Sequence, residues 1–212
     1  MKTILGLLML AAALYAQPTV SITGPAANIK AGSTFTMAVS ISGAASSGDQ
    51  AVQFSLANIA WPVVASTGSA ATAAGKSLAC ATVAGVFNCI VAGGASVLTD
   101  GQIATLQVTL PKTAPAGTVP ISLSNLLAAL TDASGNVTGS TVGASAPFTL
   151  SITSACDLDS SGAVNATDLA SMIQQSLGVS ACTADLNSDG KCDVKDVQVV
   201  AGAMVSGFCA AK

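Results

Sequence analysis

Two twelve-residue stretches near the end of the chain carry side-chain oxygens at a spacing suited to a hard cation. The first runs Asp157-Leu158-Asp159-Ser160-Ser161-Gly162-Ala163-Val164-Asn165-Ala166-Thr167-Asp168. The second begins 28 residues later as Asp185-Leu186-Asn187-Ser188-Asp189-Gly190-Lys191-Cys192-Asp193-Val194-Lys195-Asp196. In both, oxygen-bearing side chains fall at loop positions 1, 3, 5, 9 and 12, and position 6 is glycine. Calcium takes about six to eight oxygens at roughly 2.3–2.6 Å, and this spacing points alternate residues inward around one ion. Position 7, Ala163 or Lys191, offers only its backbone carbonyl, so its side chain is free to vary. A single stretch of this kind is no more than an Asx-rich turn. Two in one register, each followed by an apolar helical pattern, read as a repeated calcium loop. The expected ligands of two Ca²⁺ ions are therefore Asp157, Asp159, Ser161, Ala163, Asn165 and Asp168, then Asp185, Asn187, Asp189, Lys191, Asp193 and Asp196.

The segments that must position these loops are legible on one side only. After loop 1, Leu169, Met172, Ile173 and Leu177 recur at helix spacing, as do Val197, Val200, Ala201, Met204 and Val205 after loop 2. Gly178 and Gly207 stand where helix-ending residues belong. No helix precedes either loop: Phe148-Thr149-Leu150-Ser151-Ile152 alternates like a strand, and residues 178–184 form a connector. Position 12 is Asp in both loops rather than the Glu of a standard EF-hand. This duplicated loop–helix unit resembles the type I dockerin module over roughly residues 156–209. The resemblance implies a non-catalytic plug that binds cohesin modules and attaches secreted proteins to assemblies, often ones that degrade polysaccharide. It also implies that partner binding centres on loop positions 10 and 11, here Ala166 and Thr167 in one half and Val194 and Lys195 in the other. Further along, Gln174-Gln175 corresponds to Gly202-Ala203. Small and hydroxyl groups oppose a cation, so one half is expected to dominate.

At the other end, Met1-Lys2-Thr3 and an apolar run from Ile4 to Leu14 read as a secretory signal. The run is too short to span a bilayer, which takes about 20 residues. Small residues before Gln17 offer cleavage sites, so the expected division is 1–16 signal peptide, 18–153 sandwich domain and 154–212 calcium-binding module. The protein is expected to be extracellular.

Charged residues make up 8% of the chain, against a usual ~25%. There is no Arg, Glu or His, and the loops take all of the ten Asp residues except Asp49, Asp100 and Asp132. No basic patch exists for nucleic acid or an anionic membrane. Without His there is no Ser-His-Asp or Cys-His arrangement and no His-based zinc site. A glycosidase needs two carboxyls flanking one sugar bond. The three remaining Asp residues sit in turn-like contexts, so no catalysis is expected.

From Pro18 to Ile152 the pattern is that of a mainly β, jelly-roll β-sandwich. Phe35, Met37, Val39 and Ile41 share one strand face. Val52, Phe54 and Leu56 share another, followed by Ile103, then Leu106, Val108 and Leu110. Leu126–Leu130 fits either a buried strand or a helical turn. Three stretches resemble the cohesin module: Ala31–Gly43, Leu98–Val108, and Thr113–Leu123 with Leu130–Val137. One departure is that Ala57-Asn58-Ile59-Ala60-Trp61-Pro62 replaces the family's Y-D-P turn, so no partner-binding residue is carried over to the sandwich. Trp61 is the only Trp, whereas flat sugar platforms line up several aromatics, and it is expected to pack at the core edge.

Six cysteines in an exported chain read as disulfides, with fifteen pairings formally open. A two-residue turn at Ala84-Gly85 would place Cys80 opposite Cys89. A Cys156–Cys209 bridge would clasp the ends of the last module, and Cys182–Cys192 would staple loop 2.

The functional expectation is a secreted, non-catalytic, calcium-dependent adaptor whose partners are cohesin- or dockerin-bearing proteins, linked to extracellular polysaccharide degradation. The alternative is a carbohydrate-binding accessory protein whose sandwich holds polysaccharide. Only about four residues separate the last strand from Asp157, at most ~14 Å of chain. A plug recognising this same sandwich should therefore do so between molecules, head to tail.

Overall fold

The computed structural model describes residues 17–131 and 136–212; the expected signal segment 1–16 and Asp132 lie outside them. The first half is built from β1 (Thr19–Thr23), β2 (Ile29–Lys30), β3 (Thr34–Ser42), α1 (Ala44–Ser47), β4 (Ala51–Ala57), β5 (Val63–Thr67) and α2 (Ser69–Ala73). There follow β6 (Ser77–Val83), β7 (Val86–Ala92), β8 (Gly101–Thr109), β9 (Gly117–Thr131), β10 (Val137–Ser140), β11 (Gly143–Ala144) and β12 (Phe148–Thr153). The chain finishes with α3 (Ala166–Ser176) and α4 (Val194–Ser206).

The strands form two facing sheets, in the orders β11-β1-β3-β8-β5 and β2-β12-β9-β4-β7-β6, with β10 paired to β9. The alternation in sequence is the alternation in burial. Phe35, Met37, Val39 and Ile41 of β3 and Val52, Phe54 and Leu56 of β4 all point into the space between the sheets. In β8 the parity changes, because Val39 pairs with Ala104 while Ser40 pairs with Gln102, skipping Ile103. That bulge lets Ile103 and Ala104 both face inward, fully buried, and puts Leu106 and Val108 in phase with the core.

The ambiguous run Leu126–Leu130 is a strand, the second half of β9. Asn125 adopts φ 49°, and pairing with β4 shifts there from Ser55↔Ser124 to Gln53↔Leu127. The β6–β7 hairpin turns on Ala84 and Gly85, both at positive φ, as the two-residue hairpin turn requires. Cys80 and Cys89 are thereby paired across the strands with Cα atoms 4.1 Å apart and form a disulfide. Trp61 is half-buried against the core edge, beside Pro62 and Phe87.

The core continues without a break into the last module through Ala155, Cys156, Met172, Val200 and Ala203. Cys156–Cys209 and Cys182–Cys192 are both bridged. Among the described residues no helix is long and apolar enough to cross a membrane.

Candidate metal centre

Each loop is shaped by its first and last aspartates. In loop 1, Asp157 accepts the backbone N–H groups of Ser161 (3.0 Å) and Gly162 (2.9 Å). Asp168 accepts from Leu158 (2.7 Å) and Asp159 (3.1 Å) through one oxygen, and from Asn165 (2.8 Å) through the other. Loop 2 repeats the pattern. Asp185 accepts from Asp189 (3.2 Å) and Gly190 (2.7 Å), and Asp196 from Leu186 (2.9 Å), Asn187 (3.1 Å) and Asp193 (2.9 Å). Carboxylates that accept from several backbone donors are fixed in position by them. Gly162 and Gly190, at φ 96° and 83°, allow the turn that aims these N–H groups back.

The same residues start the helices. Asn165 and Asp193 are N-caps, their side chains accepting from Thr167 and Lys195 N–H, and Asp168 and Asp196 complete a capping box at the third helical position. Asp at position 12 is therefore long enough here: it closes the loop on itself and caps the helix in one contact. The side chain of Glu would carry the carboxylate one methylene further from these donors.

The candidate ligands do not all come together alike. In loop 1 the carboxylates of Asp157, Asp159 and Asp168 offer oxygens that all lie within 4.8 Å of one another, and Asp157 and Asp168 are fully buried. Two oxygens on opposite sides of one calcium ion are separated by about 4.6–5.2 Å, so this cluster has the dimensions of a calcium shell. The donor set, all oxygen, fits the same ion. Ser161 beside Asp159, through its hydroxyl and then its N–H, holds that carboxyl below the usual range.

Loop 2 has Asn187 at position 3, and its Asp189 is drawn 3.0 Å onto Lys195 Nζ, which holds that carboxyl low as well. Among the described residues, the carboxylates of loop 2 do not gather within the same distance.

Of the expected partner-binding positions, Ala166, Thr167, Val194 and Lys195 are all exposed. Gln175 and Ala203 are buried. Gln175 Oε1 accepts from Thr183 (2.8 Å) and Ala184 (3.0 Å) and so holds the connector, leaving Gln174 and Gly202 at the surface.

Three features escaped sequence reasoning. Asp49, in the connection between α1 and β4, is fully buried and accepts from the hydroxyls of Ser47 and Ser140 (2.8 Å). Asp100 accepts from Ala44 N–H (3.0 Å). Most consequential, two sandwich lysines stand at the loops: Lys112 Nζ donates to Asp185 O (2.5 Å) and Ser188 Oγ (2.9 Å), and Lys30 lies in the field of Asp157, Asp168 and Asp159. Neither has a local sequence signal, because each partner lies more than seventy residues away for Lys112 and over a hundred for Lys30.

Residues 155–204 match the dockerin type I domain family. No curated protein matches the chain. The sandwich is similar to a non-cellulosomal cohesin from the hyperthermophilic archaeon Archaeoglobus fulgidus, at 17% identity and TM-score 0.50, covering 66% of this chain and 93% of that one. A type II cohesin module from the cellulosomal adaptor ScaA scaffoldin of Acetivibrio cellulolyticus aligns at 10% identity and TM-score 0.50, over 63% of this chain and 96% of that one. At such identities the likeness is one of fold. The chain thus joins a β-sandwich of the cohesin fold to a C-terminal segment that matches the dockerin type I domain family over residues 155–204.

Proposed function

We propose that the protein is a secreted, calcium-dependent adaptor with no catalytic role, whose dockerin module takes two Ca²⁺ ions and plugs into a cohesin-bearing partner. Residues 1–16 serve as the export signal, 18–153 as the cohesin-like domain and 154–212 as the plug. The observation that carries the reading is the cluster of Asp157, Asp159 and Asp168 oxygens within 4.8 Å, inside a segment matching a family that binds calcium in general. Ser161, Asn165 and the Ala163 carbonyl would complete the oxygen set of the site in loop 1. Asp185, Asn187, Asp189, Asp193, Asp196 and the Lys191 carbonyl would hold the ion of loop 2, a reading supported by the same backbone register. The ions would neutralise the gathered carboxylates and hold both helix N-termini in place. Assembly with enzymes acting on extracellular polysaccharide is the setting the family implies.

Calorimetric calcium titration of the mature chain tests the metal reading, and a binding screen against cohesin modules from the same genome tests the partner reading. The module's exposed helix starts set a further expectation. Thr167 presents a hydroxyl, while Lys195 carries a charge whose side chain is 65% exposed though paired with Asp189. Thr167→Asp and Lys195→Asp should weaken partner binding by unequal amounts, about tenfold or more for the dominant half. Equal losses in an affinity titration count against a dominant face.

A second reading concerns this protein's own sandwich. Thr153 and Asp157 are close in sequence, and the plug sits at the sandwich's end, so if the plug recognises this sandwich's binding face it would do so between molecules. The outer face of the larger sheet suits such a contact, with Ile90 and Leu127, both in register with Gln53, exposed. Light scattering should then give a mass that grows with concentration in Ca²⁺ and falls to monomer in EDTA. A constant monomer at high micromolar protein sinks this reading. The carbohydrate alternative has a single indole, half-buried at the core edge. Retention on insoluble glycan that survives mutation of both loops would favour it.

A further inference from the structure

The two modules meet without a linker, and the contact is made through the calcium loops themselves. β2 lies parallel to β12, with Ile152 opposite Ile29 and Thr153 opposite Lys30, and Ala31 N–H donates to Thr153 O (2.9 Å). Immediately after comes the buried pair Ala155 and Cys156, the latter bridged to Cys209. The edge strand that carries Lys30 is thus sewn to the strand that leads into loop 1.

Lys112 is brought to the same place by a different route. Gly32 N–H donates to Pro111 O (3.2 Å), and a Cβ on Gly32, whose φ is 89°, would come within 2.9 Å of Lys112 Cγ. Gly32 therefore gives the Lys112 stem its path toward the module. At its end the ammonium bridges loop 2, from the carbonyl of position 1 to the hydroxyl of position 4. Ser188 stands at φ 62°, a conformation that the wrapped loop imposes, and it also donates to the Lys212 carbonyl (2.5 Å). Lys212 N–H in turn donates to Leu186 O (2.7 Å). Both contacts of Lys112 are made to loop 2 in its wrapped form.

Lys30 serves loop 1 by charge. Half-buried on β2, its ammonium has its pKa held down chiefly by burial, with the charges of Asp157, Asp168 and Asp159 pulling the other way. Three carboxylates against the two charges of a calcium ion leave the loop net negative, so Lys30 is attracted with the metal bound as well as without it. The sandwich lysines thus complement the metal rather than compete with it.

We infer that Lys30 and Lys112 lock the dockerin module onto the end of the sandwich through its two loops, so that calcium held in the module stabilises the sandwich and fixes the angle between them. This rests on the calcium reading above. A ligand stabilises whatever is bonded to the conformation it selects, and the sandwich is bonded, through Lys112, to wrapped loop 2. The consequence for an adaptor is that its two interaction surfaces would be presented in one fixed relation when calcium is present.

The single Trp of the chain, Trp61, lies in the sandwich and reports that module alone. In the mature, oxidised protein, millimolar Ca²⁺ should raise the melting temperature followed by Trp61 fluorescence by about 3–6 °C. Lys112→Met, which keeps the aliphatic stem, should take up calcium in calorimetry as the wild type does yet lose at least half of that shift. Adding Lys30→Met should abolish it. Normal calcium uptake with an unmoved Trp61 transition, or with equal shifts in wild type and double variant, overturns the lock while leaving the calcium reading intact. Absence of calcium uptake in the wild type overturns both.

Discussion

Stripping calcium from the mature protein with EDTA should remove most of the far-ultraviolet helical signal while the β signal of the sandwich persists. The reason lies in how α3 and α4 begin. Asp168 and Asp196, fully buried, are at once the closing residues of the loops and the capping carboxylates of the helices. Holding Asp157, Asp159 and Asp168 oxygens within 4.8 Å without a cation opposes like charges in a partly dry setting. Without the ion, the loops should open and the helices lose their N-terminal anchors, a cost of about 1 kcal/mol per cap before any ligand energy is counted. Helices of 11 and 13 residues are marginal alone in water. Metal binding and folding of the module should therefore be coupled. Asp157→Ala and Asp185→Ala should each lower the affinity of one site by at least about tenfold, seen as loss of one calorimetric transition. A helical signal that stays unchanged in EDTA, with no calcium uptake, defeats the metal reading.

The second large effect is expected from the bridge between Cys156 and Cys209. It joins residues 53 apart, spanning nearly the whole module. On the chain-entropy model a loop of that size contributes on the order of 4 kcal/mol, a large part of the stability of so small a module. Both sulfurs are buried in the layer where the module's core meets the sandwich, so their loss also leaves that layer underpacked. The double variant Cys156→Ala/Cys209→Ala should melt its helices well below the wild type and need more calcium to refold them. Opening Cys182–Cys192, which spans only 10 residues, should cost less, and Cys80–Cys89 less again, because its hairpin is already paired by strand hydrogen bonds. Thermal circular dichroism of the three double variants orders these effects. A Cys156/Cys209 variant that melts with the wild type would falsify the argument.

The residues themselves show why some of this was readable in advance. The carboxylate contacts that wrap each loop run between residues at most ten positions apart, such as Asp168 to Leu158 and Asp196 to Leu186. Such contacts are dictated by local sequence, so the twelve-residue register, the glycine turn and the helix starts could be written down directly. The same holds for the strand faces, because a side-chain period of two survives in the sequence as alternating apolar residues. It holds too for the Cys80–Cys89 pair, fixed by counting outward from Ala84-Gly85. Legibility failed where a bulge broke the count. Leu126–Leu130 could not be assigned because Asn125, at φ 49°, resets the register just before it.

The sequence by itself thus determined the two modules, their local geometry and the chemistry of the loops, since these depend on neighbours along the chain. Only the tertiary structure decided what those neighbours could not specify: the order of the strands, the burial of Asp49, and above all the position of Lys30 and Lys112 against loops far along the chain. Those contacts arise from the closing of one core through Ala155 and Cys156. The physical reason is that a packed interior brings residues together by volume and surface, whatever their separation, and a lysine carries no mark in its own sequence context of the carbonyl it will meet.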